Sequence, residues 1–138
     1  MRIYANIKTM AELVHPELSY KIVGVLFQVH TKLGGKYQEK YYQRAVEVAL
    51  KEADLSYKKE IAVDLDFNGE KIGKYILDFL IEDKIILELK AIPRFSRDDF
   101  RQVMAYLRAK NLKLGILANF RGDKLVYKRV LNSNIRIY

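Results

Sequence analysis

The segment ILDFLIEDKIILELK, Ile76 to Lys90, leaves the rest of the chain few choices. Two apolar runs of strand length flank the polar triplet Glu82-Asp83-Lys84, and only Asp78, Glu88 and Lys90 interrupt them. Runs that are apolar on both faces belong to covered strands inside a sheet. Such a sheet needs a layer on each side, and the remaining sequence has to supply both.

It supplies them as helices. Pro16 suits a first helical turn, and Ile22, Val25, Leu26, Val29 and Leu33 then fall on one face, with Gly34-Gly35 as a stop. A second helix is expected from Tyr37 to Ala53, its stripe made of Tyr42, Val46, Ala49, Leu50 and Ala53. Alternating Ile61, Val63, Leu65 and Phe67 lead to the turn signal Asn68-Gly69 and predict a half-buried strand entering a hairpin. The strands 74–81 and 85–91 follow, and Pro93 ends their pairing. A third helix begins near Arg97, then LKLGILANF reads as a buried strand and KLVYKRVL as an edge strand. The order α, α, β, β, β, α, β, β implies an α/β (α+β) fold with a mixed sheet flanked by helices. With 138 residues and no linker or repeat, one domain spanning 1–138 is expected.

The charges in the apolar runs need explaining. On the second strand Glu88 and Lys90 share a face. On the first, Ile76, Asp78 and Leu80 share one, and a three-residue loop at 82–84 sets Asp78 opposite Glu88, with Cβ atoms about 5 Å apart. Two carboxylates that close repel unless something compensates, and one pKa rises sharply. A divalent cation removes the conflict. Oxygen ligands from Asp78, Glu88 and the Leu89 carbonyl suit Mg²⁺ or Mn²⁺. Lys90 beside them suits positioning or deprotonating an attacking water, or neutralising charge in a phosphorane-like transition state. The competing reading is a solvent-facing Glu88–Lys90 pair with Asp78 at the sheet rim, which the apolar flanks disfavour. Glu39 falls within the stripe of the second helix at about 100° per residue and so faces the core, where a carboxylate needs a cation. Its place in the first turn also suits the helix dipole.

Composition narrows the chemistry. There is no Cys, so disulfides, thiolate metal sites and cysteine nucleophiles are excluded, and a cytoplasmic setting is expected. Only His15 and His30 are histidines, and His30, on the flank of the first helix, suits a buried hydrogen bond better than a phosphate contact. The opening residues lack the pattern of a targeting segment, and no apolar run is long enough for a membrane span. The formal net charge is +8, and residues 84–138 hold 13 Lys+Arg against 4 Asp+Glu, while residues 1–83 hold 12 against 13. That one-sided excess suits a polyanion such as nucleic acid, or a solvated basic face.

Taken together, Asp78, the Glu88-Leu89-Lys90 triplet, the upstream Glu39 and the helix that follows resemble the PD-(D/E)XK nuclease superfamily. More narrowly, VHTKLGGKYQEKYYQRAVEVAL, ILDFLIEDKIILELKAI, RQVMAYL and GILANF look like the GxxExxxR protein family, from about Glu17 to Leu131. The resemblance implies a restriction-endonuclease-like αβββαβ core and a metal-dependent nuclease. It also implies Asp78 and Glu88 as metal ligands, Lys90 as the residue assisting water, and Glu39 as completing or supporting the site. Gln102 and Tyr106 match a Gln-x-x-x-Tyr pattern of the superfamily that contacts nucleic acid. The i, i+4 spacing sets them together on a helix face opposite Phe100, Val103 and Leu107, which equally suits a packing pair. Leu77 replaces the name-giving proline, and Lys36 departs from the narrower family's small-residue turn.

The expected enzyme is a hydrolase of phosphodiesters using Mg²⁺ or Mn²⁺, with DNA favoured over RNA by resemblance. Arg94, Arg97, Arg101 and Arg108 are expected to track the backbone. A catalytically silent binding protein and an assembly subunit are the alternatives, and exposed Tyr4, Tyr37 and Tyr138 would permit a homodimer.

Overall fold

A computed structural model describes residues 14–132; Tyr4 and Tyr138, named above as interface candidates, lie outside them. Helix α1 spans Pro16–Leu33 and α2 spans Glu39–Glu52. Strands β1 (Tyr57–Phe67), β2 (Glu70–Ile81) and β3 (Ile85–Lys90) form a meander. Helix α3 (Arg97–Lys110) then crosses to β4 (Leu114–Asn119), and β5 (Val126–Leu131) closes the described chain. The five strands lie in the order β1-β2-β3-β4-β5, antiparallel except for the β3–β4 pair that α3 connects. This is the α/β mixed sheet that the element order implied. Helix α2 ends one residue short of the expected Ala53, which is exposed just past it.

Every residue of β4 and all of β3 except Lys90 are partly or wholly shielded to the point of burial, as central strands require. Two apolar layers cover them. Ile22, Leu26, Val29, Tyr42, Val46 and Leu50 of α1 and α2 pack on Phe79, Ile81, Leu87 and Leu89. Val103, Tyr106 and Leu107 of α3 pack on the other face with Leu77, Leu80, Ile86 and Leu117. Gly115 permits that second contact at close range, since a Cβ there would stand 2.5 Å from the Val103 Cγ1.

The β2–β3 turn fixes the register on which the site depends. Ile81 pairs with Ile85, leaving Glu82-Asp83-Lys84 as the loop, and Leu80–Ile86 and Phe79–Leu87 follow. One step further stand Asp78 and Glu88. Glu82 and Asp83 both adopt positive φ, 53° and 55°, as a tight hairpin turn demands. Asp83 tolerates that conformation; Glu82 is not a preferred residue there, but its carboxylate accepts from the Ser56 N–H (2.7 Å) and hydroxyl, and its N–H donates to the Ser56 carbonyl at 2.9 Å. That exchange ties the turn to the entrance of β1.

The sheet does not alternate strictly through the site. Along β2, Phe79 and Ile81 face α1 and α2, whereas Leu77 and Tyr75, at the same parity, face α3. Along β1, Tyr57 packs on the first layer, and Ile61 and Val63 on the second. Both strands reverse at one level, where Lys59 pairs with Phe79 and Ile61 with Leu77 but no pairing joins Glu60 and Asp78. Glu60 there has φ of 55°. The expectation that Ile76, Asp78 and Leu80 share one face is therefore corrected: Ile76 is 53% exposed, while Leu77 and Leu80 share a layer. A residue in left-handed backbone rotates the strand, and the apolar residues on both sides of Asp78 suit either face, so the sequence carries no sign of the turn.

Candidate active site

At the level of this reversal β2 and β3 part, and carboxylates replace the ladder. The Asp78 N–H donates to Glu88 Oε1 at 3.0 Å, and the Leu89 N–H donates to Asp78 Oδ2 at 2.7 Å. Glu88 is 4% exposed at the centre of the sheet, while Asp78 is half-buried at its opening. Lys90 Nζ lies 3.4 Å from Glu88 Oε2 and 3.7 Å from Asp99 Oδ1. The Phe120 N–H donates to the Lys90 carbonyl (2.9 Å), which anchors this end of β3 to β4.

Gln43 and Asp99 join the group, and neither was among the residues singled out from sequence. Gln43 Nε2 donates to Asp78 Oδ1 at 2.8 Å and to Glu39 Oε2 at 3.3 Å. Glu39 is thus tied to Asp78 through an amide. The i, i+4 spacing of Glu39 and Gln43 along one helix face is the signal the sequence holds, and an uncharged amide at that spacing does not by itself mark a site. Asp99 caps α3: its Oδ2 accepts from the Ser96 N–H at 2.7 Å, and the Ser96 hydroxyl accepts from the Asp99 N–H. The same carboxylate faces Lys90. A capping residue is normally exposed, and here its 8% exposure marks a second task.

The electrostatics follow from this crowding. Burial, then Asp78, pushes Glu88 up to about 8, with Lys90 opposing. Burial also raises Asp78, against the hydrogen bond from the Leu89 N–H. Glu39 is raised by burial and by Asp78, and restrained by Lys90 and a backbone hydrogen bond from Ala91. Burial pulls Lys90 down, but Glu88, Glu39 and Asp99 outweigh it and hold the ammonium above its ordinary range. Two close carboxyl groups that retain a proton near neutrality, beside a firmly charged lysine, form a site short of positive charge.

Among the described residues, no three His, Cys, Asp or Glu side chains gather into a ready cation cage. Mg²⁺ does not need one, because it keeps several waters and is held by one or two carboxylates together with substrate phosphate. The donor set of Asp78 and Glu88, all oxygen and undercompensated, fits such an ion.

The other expected residues are dispersed. Gln102 is half-buried, one turn beyond Asp99 on α3. Tyr106 is 3% exposed and packs with Val103 and Leu107, so the face assignment that set it opposite them is corrected. At about 100° per residue it stands only about 60° from Val103, and its ring joins that layer. It also borders a cleft with Lys58 and Asp83 at the turn end of the β2–β3 hairpin, the end opposite Glu88 and Lys90. Arg101 and Arg108 flank a groove with Tyr75, Phe100 and Met104 on the α3 side. Arg94 and Arg97 are exposed just before and at the start of α3. His30 is buried and donates Nε2–H to the Gly122 carbonyl at 3.0 Å, a structural role. No described helix is long and apolar enough to cross a membrane.

This architecture, a mixed sheet between helices whose paired strands part at Asp78, Glu88 and Lys90, is restriction-endonuclease-like. A family model described as the PD-(D/E)XK nuclease superfamily matches residues 16–130, and the chain belongs to that superfamily. A solved structure described as "Crystal structure of SSO0001" is similar in fold, with a TM-score of 0.54 at 18% identity, over 67% of this chain and 49% of that one. The match thus spans about half the length of the solved chain. No curated protein matches the sequence.

Proposed function

We propose that the chain, as one domain, is a metal-dependent nuclease that hydrolyses phosphodiester bonds of nucleic acid, DNA in preference to RNA, in the cytoplasm. The observation that carries this reading is the approach of half-buried Asp78 to buried Glu88, with Lys90 3.4 Å from the Glu88 carboxylate, at the point where β2 and β3 separate. Asp78 and Glu88 would hold Mg²⁺ or Mn²⁺. The Leu89 carbonyl is a third donor, since the N–H and C=O of one strand residue point the same way and its N–H points at Asp78. The bound ion would supply Lewis-acid polarisation of the scissile phosphate and stabilise the leaving oxyanion.

The chain's own residues do the positioning. Lys90, held between Glu88 and Asp99, orients the attacking water and offsets charge developing on phosphorus. Gln43 fixes the Asp78 carboxylate, and Glu39 fixes Gln43. Arg94, Arg97, Arg101 and Arg108 track the phosphate backbone, with Gln102 nearest the site on α3. Tyr106, covered by its own layer, contributes through packing. Kinship with the GxxExxxR proteins is supported by the stretches around Glu39, Asp78 and Glu88. Lys36 and Gln43 stand where that name calls for glycine and arginine.

The test is cleavage of single- and double-stranded DNA and RNA in Mg²⁺, Mn²⁺ or EDTA, alongside Asp78→Ala and Lys90→Ala. Cleavage that needs the metal and both side chains is expected. EDTA-resistant cleavage, or variants as active as the parent, overturns the reading; binding without cleavage assigns the fold to a silent nucleic-acid-binding protein.

A further inference from the structure

Asp78 and Gln43 open into a cleft of about 330 Å³ between α2 and the β1–β2 pair, which Lys40 and Arg44 also line. Neither cation has an ion-pair partner among the described residues. Both reach instead toward the Tyr41 ring, Lys40 Nζ at 5.2 Å and Arg44 Cζ at 5.8 Å from its centroid. Tyr41 is 42% exposed and Tyr37 is 51% exposed, and their rings meet edge to face at 6.1 Å.

These exposed rings are held in place. Tyr37 also meets the buried Tyr42 edge to face at 6.2 Å, and its N–H donates to the Tyr42 hydroxyl at 3.2 Å. Tyr42 in turn stacks on Phe120 at 4.6 Å and donates to the Gly34 carbonyl at 2.6 Å. A row of four rings therefore runs from core to surface and ends beside two unpaired cations. Around α2, successive 100° steps place Gln43, then Lys40 and Arg44, then Tyr41, so the cations lie between the carboxylates and the exposed ring.

Cations set between a phosphate-cleaving centre and a rigid exposed aromatic suit one ligand chemistry: a phosphate followed by an unpaired base. Exposed cation–π contacts are worth only about 0.5–1 kcal/mol and yield readily to a phosphate. A base inside a duplex presents no free face to a tyrosine, whereas an unpaired one does. We propose that this cleft seats the phosphate of one unpaired nucleotide next to the scissile phosphate, on Lys40 and Arg44, and that its base reaches out of the cleft onto the exposed Tyr41 ring beside it, supported by Tyr37, so that the substrate is single-stranded at that position. The assignment rests on the nuclease reading above and adds the form of its substrate.

The experiment is fluorescence anisotropy in EDTA, where no cleavage intervenes, using a labelled single-stranded DNA oligonucleotide and the blunt duplex of the same sequence. Tyr41→Leu is expected to weaken single-strand binding roughly ten- to hundredfold and duplex binding less than twofold, and Tyr41→Phe to restore it. Lys40→Ala should lower the salt slope for the single strand by about one. Both side chains are exposed, and unchanged thermal unfolding would confirm that each variant folds. Equal losses on duplex and single strand, or no loss in Tyr41→Leu, overturn the proposal. Cleavage in Mg²⁺ is scored separately: a parent that cleaves duplex as readily as single strand sinks the unpaired-nucleotide seat while the nuclease reading stands. A parent that binds single strands through Tyr41 but cleaves nothing leaves the seat and sinks the nuclease.

Discussion

Gln43 Nε2 donates to Asp78 Oδ1 at 2.8 Å and to Glu39 Oε2 at 3.3 Å, so one amide sets the orientation of a carboxylate on β2 from a helix 35 residues earlier in the chain. Gln43→Ala frees Asp78 to rotate without removing a ligand. Outer partners of metal ligands typically change metal affinity by about 10- to 100-fold. Activity titrated against Mg²⁺ should therefore need that much more metal, with maximal rate less affected. An unchanged metal requirement would show that Asp78 is oriented by its hydrogen bond with Leu89 alone.

The burial of Glu88 beside Asp78 gives the stability a definite pH dependence. Glu88 titrates near 4.5 in the unfolded chain and about 8 in the fold, so between those values the folded state binds more protons. Without metal, stability should be greatest at acid pH and fall as pH rises through that window, by an amount on the order of a few kcal/mol. Glu88→Gln should flatten the curve. Added Mg²⁺ or Mn²⁺ should raise the melting temperature most at the alkaline end, where the carboxylates are free to ligate. Chemical denaturation from pH 5 to 9, with metal and with EDTA, measures all three.

Lys90→Met keeps the length of the side chain and removes the charge that Glu88 and Asp99 share at 3.4 and 3.7 Å. Losing one preorganised charged group costs about 10²–10³ in rate. Cleavage under saturating metal should drop by that factor, while metal binding, followed by calorimetry, persists. Loss of metal binding as well would mean that Lys90 holds Glu88 in place.

Gly35 lies against the β4–β5 loop, and a Cβ there would stand 1.9 Å from the Gly122 carbonyl oxygen. Gly35→Ala must separate the α1–α2 and β4–β5 loops, which also meet through the Gly122 N–H donating to the Gly35 carbonyl at 3.3 Å. A loss of about 1–3 kcal/mol is expected in urea unfolding. Gly24→Ala, where a Cβ would meet nothing within 4 Å, serves as the control and should be neutral or slightly stabilising.

The sequence made the approach of Asp78 to Glu88 legible because a three-residue loop between apolar runs sets the register that brings them level, although the period-two alternation used to give Asp78 its face breaks there. Glu88 and Lys90 were readable because side chains alternate with period two along β3. Gln43 was not, since its role depends on the approach of α2 to β2, which no local pattern encodes. Asp99 hid behind its ordinary use as a helix cap. Tyr106 shares i, i+4 spacing with Gln102 and also borders the apolar stripe of α3, and spacing alone does not tell that its ring joins Val103 and Leu107. The face reversal at Glu60 and Asp78 was invisible because Leu77 and Phe79 are equally apolar, and only the layers they enter tell them apart.

That reversal also divides the labour of the β1–β2 hairpin. On one side of Glu60 and Asp78, Tyr57, Phe79 and Ile81 belong to the layer built on α1 and α2; on the other, Ile61, Val63, Tyr75 and Leu77 belong to the layer built on α3. The outer half, with Phe67 and Ile72 exposed near its tip, carries none of the side chains that hold Asp78, Glu88 or Lys90. Its tip can therefore be lengthened or exchanged while the carboxylates keep their geometry, whereas Val63 and Leu77, buried against α3, cannot, so the tip is the natural place for a chain of this superfamily to vary its surface.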